Sequence, residues 1–192
     1  MSHPRTKSLY CLLFAALFVG CQRPSPGSVE SAPSATTTRL DRQTEVLNEL
    51  SNEINSTYGY KDGIPRINIG PCGRFAKTFR EQWNDRFRRK INIVFLMAPD
   101  DHCCHVLVKL PGGTYFDGGN GVLSGPALLD KFAQFTPGVR IEEMVEFDLK
   151  VLDKNSHGLG RTYEHCPNYS DESTFRIIEK YLAKLAEDTG NP

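Results

Sequence analysis

The sequence predicts an α+β fold, an antiparallel sheet of about three to five strands packed against one strongly amphipathic helix. Three stretches carry that prediction. In residues 72–87, Phe75, Phe79, Trp83 and Phe87 recur every fourth residue with Ala76 beside them, which lays one apolar stripe along a helix. Residues 91–97, INIVFLM, are a short apolar run of strand length. Residues 103–122, CCHVLVKLPGGTYFDGGNGV, read as two strands joined by Pro111-Gly112-Gly113, a turn too short for anything but an antiparallel pair.

Taken in order, the chain begins with a segment that does not belong to the fold. Arg5 and Lys7 precede an apolar stretch over 9–19 that is short for a bilayer span, and Phe18-Val19-Gly20-Cys21 follows. This resembles the lipobox of bacterial lipoprotein signal peptides. The resemblance implies a leader over 1–20, acylation of Cys21, and a lipid-anchored protein of the cell envelope. If the cell has an outer membrane, Gln22 after the acylated cysteine implies that address. Residues 21–38 are rich in Pro, Ser, Thr and Ala, which predicts a disordered tether. The folded domain is then expected over 39–192.

Residues 39–58 carry Leu40, Leu47, Leu50 and Ile54 at helical spacings. Asp62-Gly63-Ile64-Pro65 is a turn, and Ile67 and Ile69 form an extended approach to Gly70-Pro71, where the striped helix starts. After the hairpin, a short helix is expected over 127–135 and a further strand over 139–147. Residues 150–170 are polar and irregular. The acidic first turn of Ser170-Asp171-Glu172-Ser173 opens a last helix whose apolar face is Phe175, Ile178, Tyr181, Leu182 and Leu185.

Charge is balanced, with 23 basic and 23 acidic residues, and no long run of one sign. That gives no electrostatic footing to a nucleic-acid partner.

The residues with chemistry to offer are spread over three of these elements. Cys72 opens the striped helix, where the positive end of the helix dipole and free N–H groups favour a thiolate and offer a donor to a developing oxyanion. His105 lies on the first hairpin strand and Asp117 closes the second, so the two are expected within a residue or two of each other across the ladder. A thiol, an imidazole to move its proton and a carboxylate to fix the imidazole's tautomer make a triad. The Cys72 N–H is one candidate oxyanion donor and Asn68 the other. The bland alternatives are a buried cysteine, a structural histidine and a turn aspartate. The glycines after Asp117 are read as a loop or as room for a substrate's backbone.

These residues carry a resemblance. Gly70-Pro71-Cys72-Gly73-Arg74-Phe75-Ala76, His105-Val106-Leu107-Val108 and Gly113-Thr114-Tyr115-Phe116-Asp117, in that order, look like the papain-like superfamily, most of all its transglutaminase-like branch. It spans about residues 68–122. It implies a papain-like core and a cysteine hydrolase or acyl transferase acting on an amide or peptide bond, with Cys72, His105 and Asp117 as its triad. Substrates would be cell-wall peptides or envelope proteins, and no cofactor is implied. Leu107 and the short interval from His105 to Asp117 depart from that branch. They motivate the alternative of a non-catalytic envelope lipoprotein that uses the fold for binding.

An envelope address also permits a disulfide, with Cys103 or Cys104 bridged to Cys166 and Cys72 left free. The vicinal pair Cys103–Cys104 is geometrically unsuited to bond to itself. His102-Cys103-Cys104-His105 suggests a metal, but neighbours on a strand point to opposite faces, so no metal site is expected there.

Overall fold

The structure, a computed structural model, describes residues 35–144 and 165–188. The expected leader, Cys21 and most of the tether lie outside the described residues. So do the end of the 139–147 strand and most of 150–170.

Helix α1, Ala35–Tyr58, opens the described chain. It begins four residues before the expected boundary, so the tether does not reach residue 38. Pro33 is the last breaker before it, and nothing in Ala35-Thr36-Thr37-Thr38 prevents helix. A two-stranded ladder follows, β1 (Tyr60–Lys61) and β2 (Ile64–Pro65), with Asp62 and Gly63 at positive φ in the turn. The expected extended approach is instead a 3₁₀ turn, Arg66–Asn68, that buries Ile67. Helix α2, Cys72–Phe87, starts directly after Pro71.

The main sheet contains β3 (Asn92–Met97), β4 (Cys103–Lys109), β5 (Tyr115–Asp117), β6 (Gly121–Leu123) and β7 (Arg140–Met144). Its order is β6-β5-β4-β3-β7, and every pairing is antiparallel. Strand β6 falls where the sequence suggests only a glycine loop. Helix α3, Gly125–Ala133, stands between β6 and β7, capped by Ser124. Helix α4, Asp171–Asp188, ends the described chain. No described helix is long and apolar enough to cross a membrane.

Two apolar layers sandwich the sheet. On one face α1, α2 and α4 pack against Ile93, Phe95, Val106, Val108 and Phe116. The α2 stripe is its centre: Phe79 lies 4.7 Å from Phe116 and 5.7 Å from Trp83 between ring centres. On the other face Leu128 and Phe132 of α3 cover Val94, Leu96, Leu107 and Tyr115. Strand β3 is therefore buried on both sides, which is why INIVFLM is continuously apolar rather than alternating.

Two irregularities position the site. Leu96 pairs with His105 but Met97 pairs with Cys103, so Cys104 is the extra residue of a β-bulge. The bulge lets Cys103 join the α2-side core while His105, two residues on, meets Phe132 on the α3 side. Strand β5 is short: its ladder with β4 covers only Val108–Phe116 and Lys109–Tyr115. The Leu110 amide donates to Thr114 O, so the amides of Val108 and Val106 point to the same side of β4. Val106 lies beyond the last rung, and its N–H is open to another partner.

Candidate active site

Cys72, His105 and Asp117 come together at that open stretch of β4. Cys72 is half-buried, while His105 and Asp117 are buried. Continuing the β4–β5 register sets Asp117 opposite Leu107, so His105 is its diagonal neighbour on the same face. His105 Nε2 lies 3.3 Å from Asp117 Oδ2. An ionised carboxylate only accepts, so Nε2 carries the proton and Nδ1 is the nitrogen left for other work.

Asp117 is held by a set of donors. Oδ1 accepts from Gly119 N (2.8 Å), Asn120 N (2.5 Å) and Asn68 Nδ2 (3.1 Å). Oδ2 accepts from Asn120 Nδ2 (2.8 Å) as well as from His105. Burial pushes the Asp117 carboxyl up, but the bond from His105, the charge of that ring and the Asn120 donors outweigh it, and the group sits below its ordinary value. Burial likewise opposes a charge on His105. The bond to Asp117 and the interaction with Cys72 overcome this and raise the imidazole to about 10.

The Cys72 thiol completes the array. Burial pushes it up, and the His105 imidazole together with the N–H groups of Val106 and Gly73 brings it below the usual thiol range. Nδ1 has no hydrogen bond of normal geometry. Thiol and ring are thus near enough to shift each other but looser than a formed bond, as in many sites without substrate. Each of these shifts is toward the charged form: a thiolate beside an imidazolium, with the carboxylate behind. Phe132 stacks on the ring, 4.8 Å between centres and 22° between planes.

Asn68 is committed to the carboxylate by one of its two amide N–H groups. Its amide nitrogen is engaged on Asp117, because the 3₁₀ turn carries it inward next to the Gly118-Gly119 loop. Those glycines make room for protein rather than for substrate. A Cβ on Gly119 would lie 2.5 Å from Pro65 and 2.6 Å from Asn68, and one on Gly118 would lie 2.9 Å from the Phe75 ring.

All four described cysteines are free, so the expected bridge from Cys103 or Cys104 to Cys166 is not formed. Cys103 Sγ points along its own strand to the His105 carbonyl at 3.6 Å, whereas Cys166 lies by Arg66 and the start of α4. Burial pushes the Cys103 thiol up to about 12, and it serves as a small apolar group. Among the described residues no three His, Cys, Asp or Glu side chains gather as metal ligands. A concavity of about 1220 Å³ lies between α2 and α4 against Arg80, Arg86, Phe175 and Glu187, far along α2 from Cys72.

Several supporting residues escape a reading of the sequence alone. Asn48, Ser51 and Asn55 form one polar line on α1. Ser51 Oγ donates to Asp117 O (3.2 Å), Asn55 Nδ2 to Gly119 O (2.8 Å), and Asn48 Oδ1 accepts from Val122 N (2.9 Å). They satisfy the backbone of the β5–β6 turn and cover the edge strand. The signal was present as polar residues at helical spacing beside Leu47, Leu50 and Ile54, but nothing local says what they meet. Compared with known protein families, with curated proteins and with solved structures, the chain matches none.

Proposed function

We propose that this chain is a papain-like cysteine hydrolase or acyl transferase, closest in layout to the transglutaminase-like branch, acting on an amide or peptide bond. The observation that carries the reading is the array of half-buried Cys72 with buried His105 and Asp117, in which Nε2 is turned to the carboxylate and the thiol interacts with the imidazole. The Cys72 thiolate attacks the carbonyl carbon, and the C=O π electrons move to oxygen. The Cys72 N–H, among the first unbonded amides of α2, is the donor at hand for that oxyanion. The His105 imidazolium gives its proton to the amine as the C–N bond breaks, which leaves a thioester on Cys72. Water or an acceptor amine then attacks the thioester, passing a proton to His105, and the thiolate is released. Asp117 stays ionised and keeps the proton on Nε2.

In the same reading Cys21 is the lipidated residue that holds the chain at the envelope membrane, and the substrate is a cell-wall peptide or an envelope protein. This part rests on the lipobox-like run Phe18-Val19-Gly20-Cys21. One observation favours the rival, a non-catalytic module: His105 is 1% exposed, so a substrate meets the site only through Cys72.

Labelling with iodoacetamide near neutral pH, read by mass spectrometry at each cysteine, separates the two. Catalytic chemistry requires Cys72 to react faster than Cys104, which is also half-buried, and to lose that advantage in His105→Ala. Equal rates at Cys72 and Cys104 would remove the nucleophile from the proposal.

A further inference from the structure

Phe132 is an aromatic ring stacked on His105, and nothing in the triad chemistry above uses it. It lies at the end of α3, 4.8 Å from the imidazole centre and 22° from coplanar, so the phenyl face covers the imidazole face. That face of an aromatic ring is electron-rich and attracts a cation, the more so where water is excluded. Asp117 meets the imidazole at its Nε2 edge, whereas Phe132 meets it on its flat face.

We propose that Phe132 is a positioning residue that fixes the plane of the His105 ring and stabilises it as an imidazolium by cation–π stacking. The inference rests on the triad reading. The ring is faced by Asp117 from β5, Cys72 from α2, and Leu96 opposite on β3. Cys103 and Cys104 precede it on β4, and α3 presents Phe132. The charged residues of α3, Asp130 and Lys131, are exposed. On β7, beyond β3, Arg140 pairs with Asp101 and Glu142. Phe132 thus supplies a neutral attraction for the cation on a side where, among the described residues, no charge does.

A stacked cation also acts on Cys72. Stabilising the imidazolium favours the thiolate beside it, because the two charges form together. Loss of the aromatic face with the apolar cover kept should therefore raise the pH at which Cys72 ionises.

The test is the pH dependence of iodoacetamide alkylation at Cys72, followed by mass spectrometry in the full chain. Phe132→Leu retains the apolar cover and removes the ring. It should move the thiolate transition upward by roughly half a unit to one and a half units. Phe132→Trp keeps a stronger aromatic face and should hold the transition at or below the wild-type value. A folded Phe132→Leu with an unchanged transition overturns the proposal. So does a folded Phe132→Trp whose transition rises, since simple packing would then explain the contact. An ordinary thiol profile in the wild type is a different result, which sinks the triad reading itself.

Discussion

Replacing Asp117 with asparagine changes one atom of the site and tests its logic. The shape is kept, but Asn offers one acceptor oxygen and one NH₂ in place of two acceptors. Three donors converge on Oδ1, from Asn68, Gly119 and Asn120, so the amide oxygen stays there. The NH₂ then takes the place of Oδ2, facing His105 Nε2 at 3.3 Å and Asn120 Nδ2 at 2.8 Å. Donor meets donor at both. His105 can relieve the conflict only by carrying its proton on Nδ1, which turns an N–H toward Cys72 and removes the base.

The lost charge-assisted bond is worth about 1.5–3 kcal/mol, or roughly ten- to a hundredfold in the population of the ion pair. Without the carboxylate, burial opposes the imidazolium unaided, and the His105 pKa falls from about 10. Cys72 alkylation near neutral pH should drop by at least about tenfold in Asp117→Asn, with the transition moved toward the ordinary thiol range. A folded Asp117→Asn protein that alkylates at the wild-type rate would refute the assignment of Asp117 as orienter.

Three further outcomes follow from the same contacts. The raised pKa of His105 stabilises the fold fully below its ordinary 6.5 and is lost as pH rises through about 10. The depressed Cys72 thiol acts in the opposite sense up to its ordinary 9.0, so a net loss of stability is expected between about 9 and 10, and denaturant titrations across that window would detect it. Gly119→Ala drives a Cβ to 2.5 Å from Pro65 and should cost about 1–3 kcal/mol by calorimetry; an unchanged melting temperature would contradict the close approach. Asn55→Ala strips the donor from the Gly119 carbonyl and should destabilise by about 1–3 kcal/mol in urea unfolding, whereas a neutral effect would place that carbonyl in water.

Periodicity and turn residues were enough to read α2, β3, the β4–β5 hairpin and α4, because a stripe every fourth residue or a run of strand length is a local property. They also put Cys72 at a helix start and brought His105 and Asp117 to one end of a hairpin. Strand β6 hid among glycines: Gly121 at positive φ and the Asn48 contact to Val122 build it, and both depend on α1 lying alongside. The 3₁₀ turn over Arg66–Asn68 escaped for the same reason, since its one buried side chain, Ile67, packs on distant helices.

What the sequence determined by itself is the order of chemistry along the chain, a thiol, then an imidazole, then a carboxylate, each set on a recognisable element. The tertiary structure decided how they act. The bulge at Cys104 sends His105 and Cys103 to opposite faces, and the short β5 frees the Val106 amide for the Cys72 sulfur. Asn68, Asn120 and the α1 polar line converge on Asp117 and its loop. Protonation states and ring orientation depend on burial, charge and donors brought together from residues 48 to 132, and those distances exist only once the chain has folded.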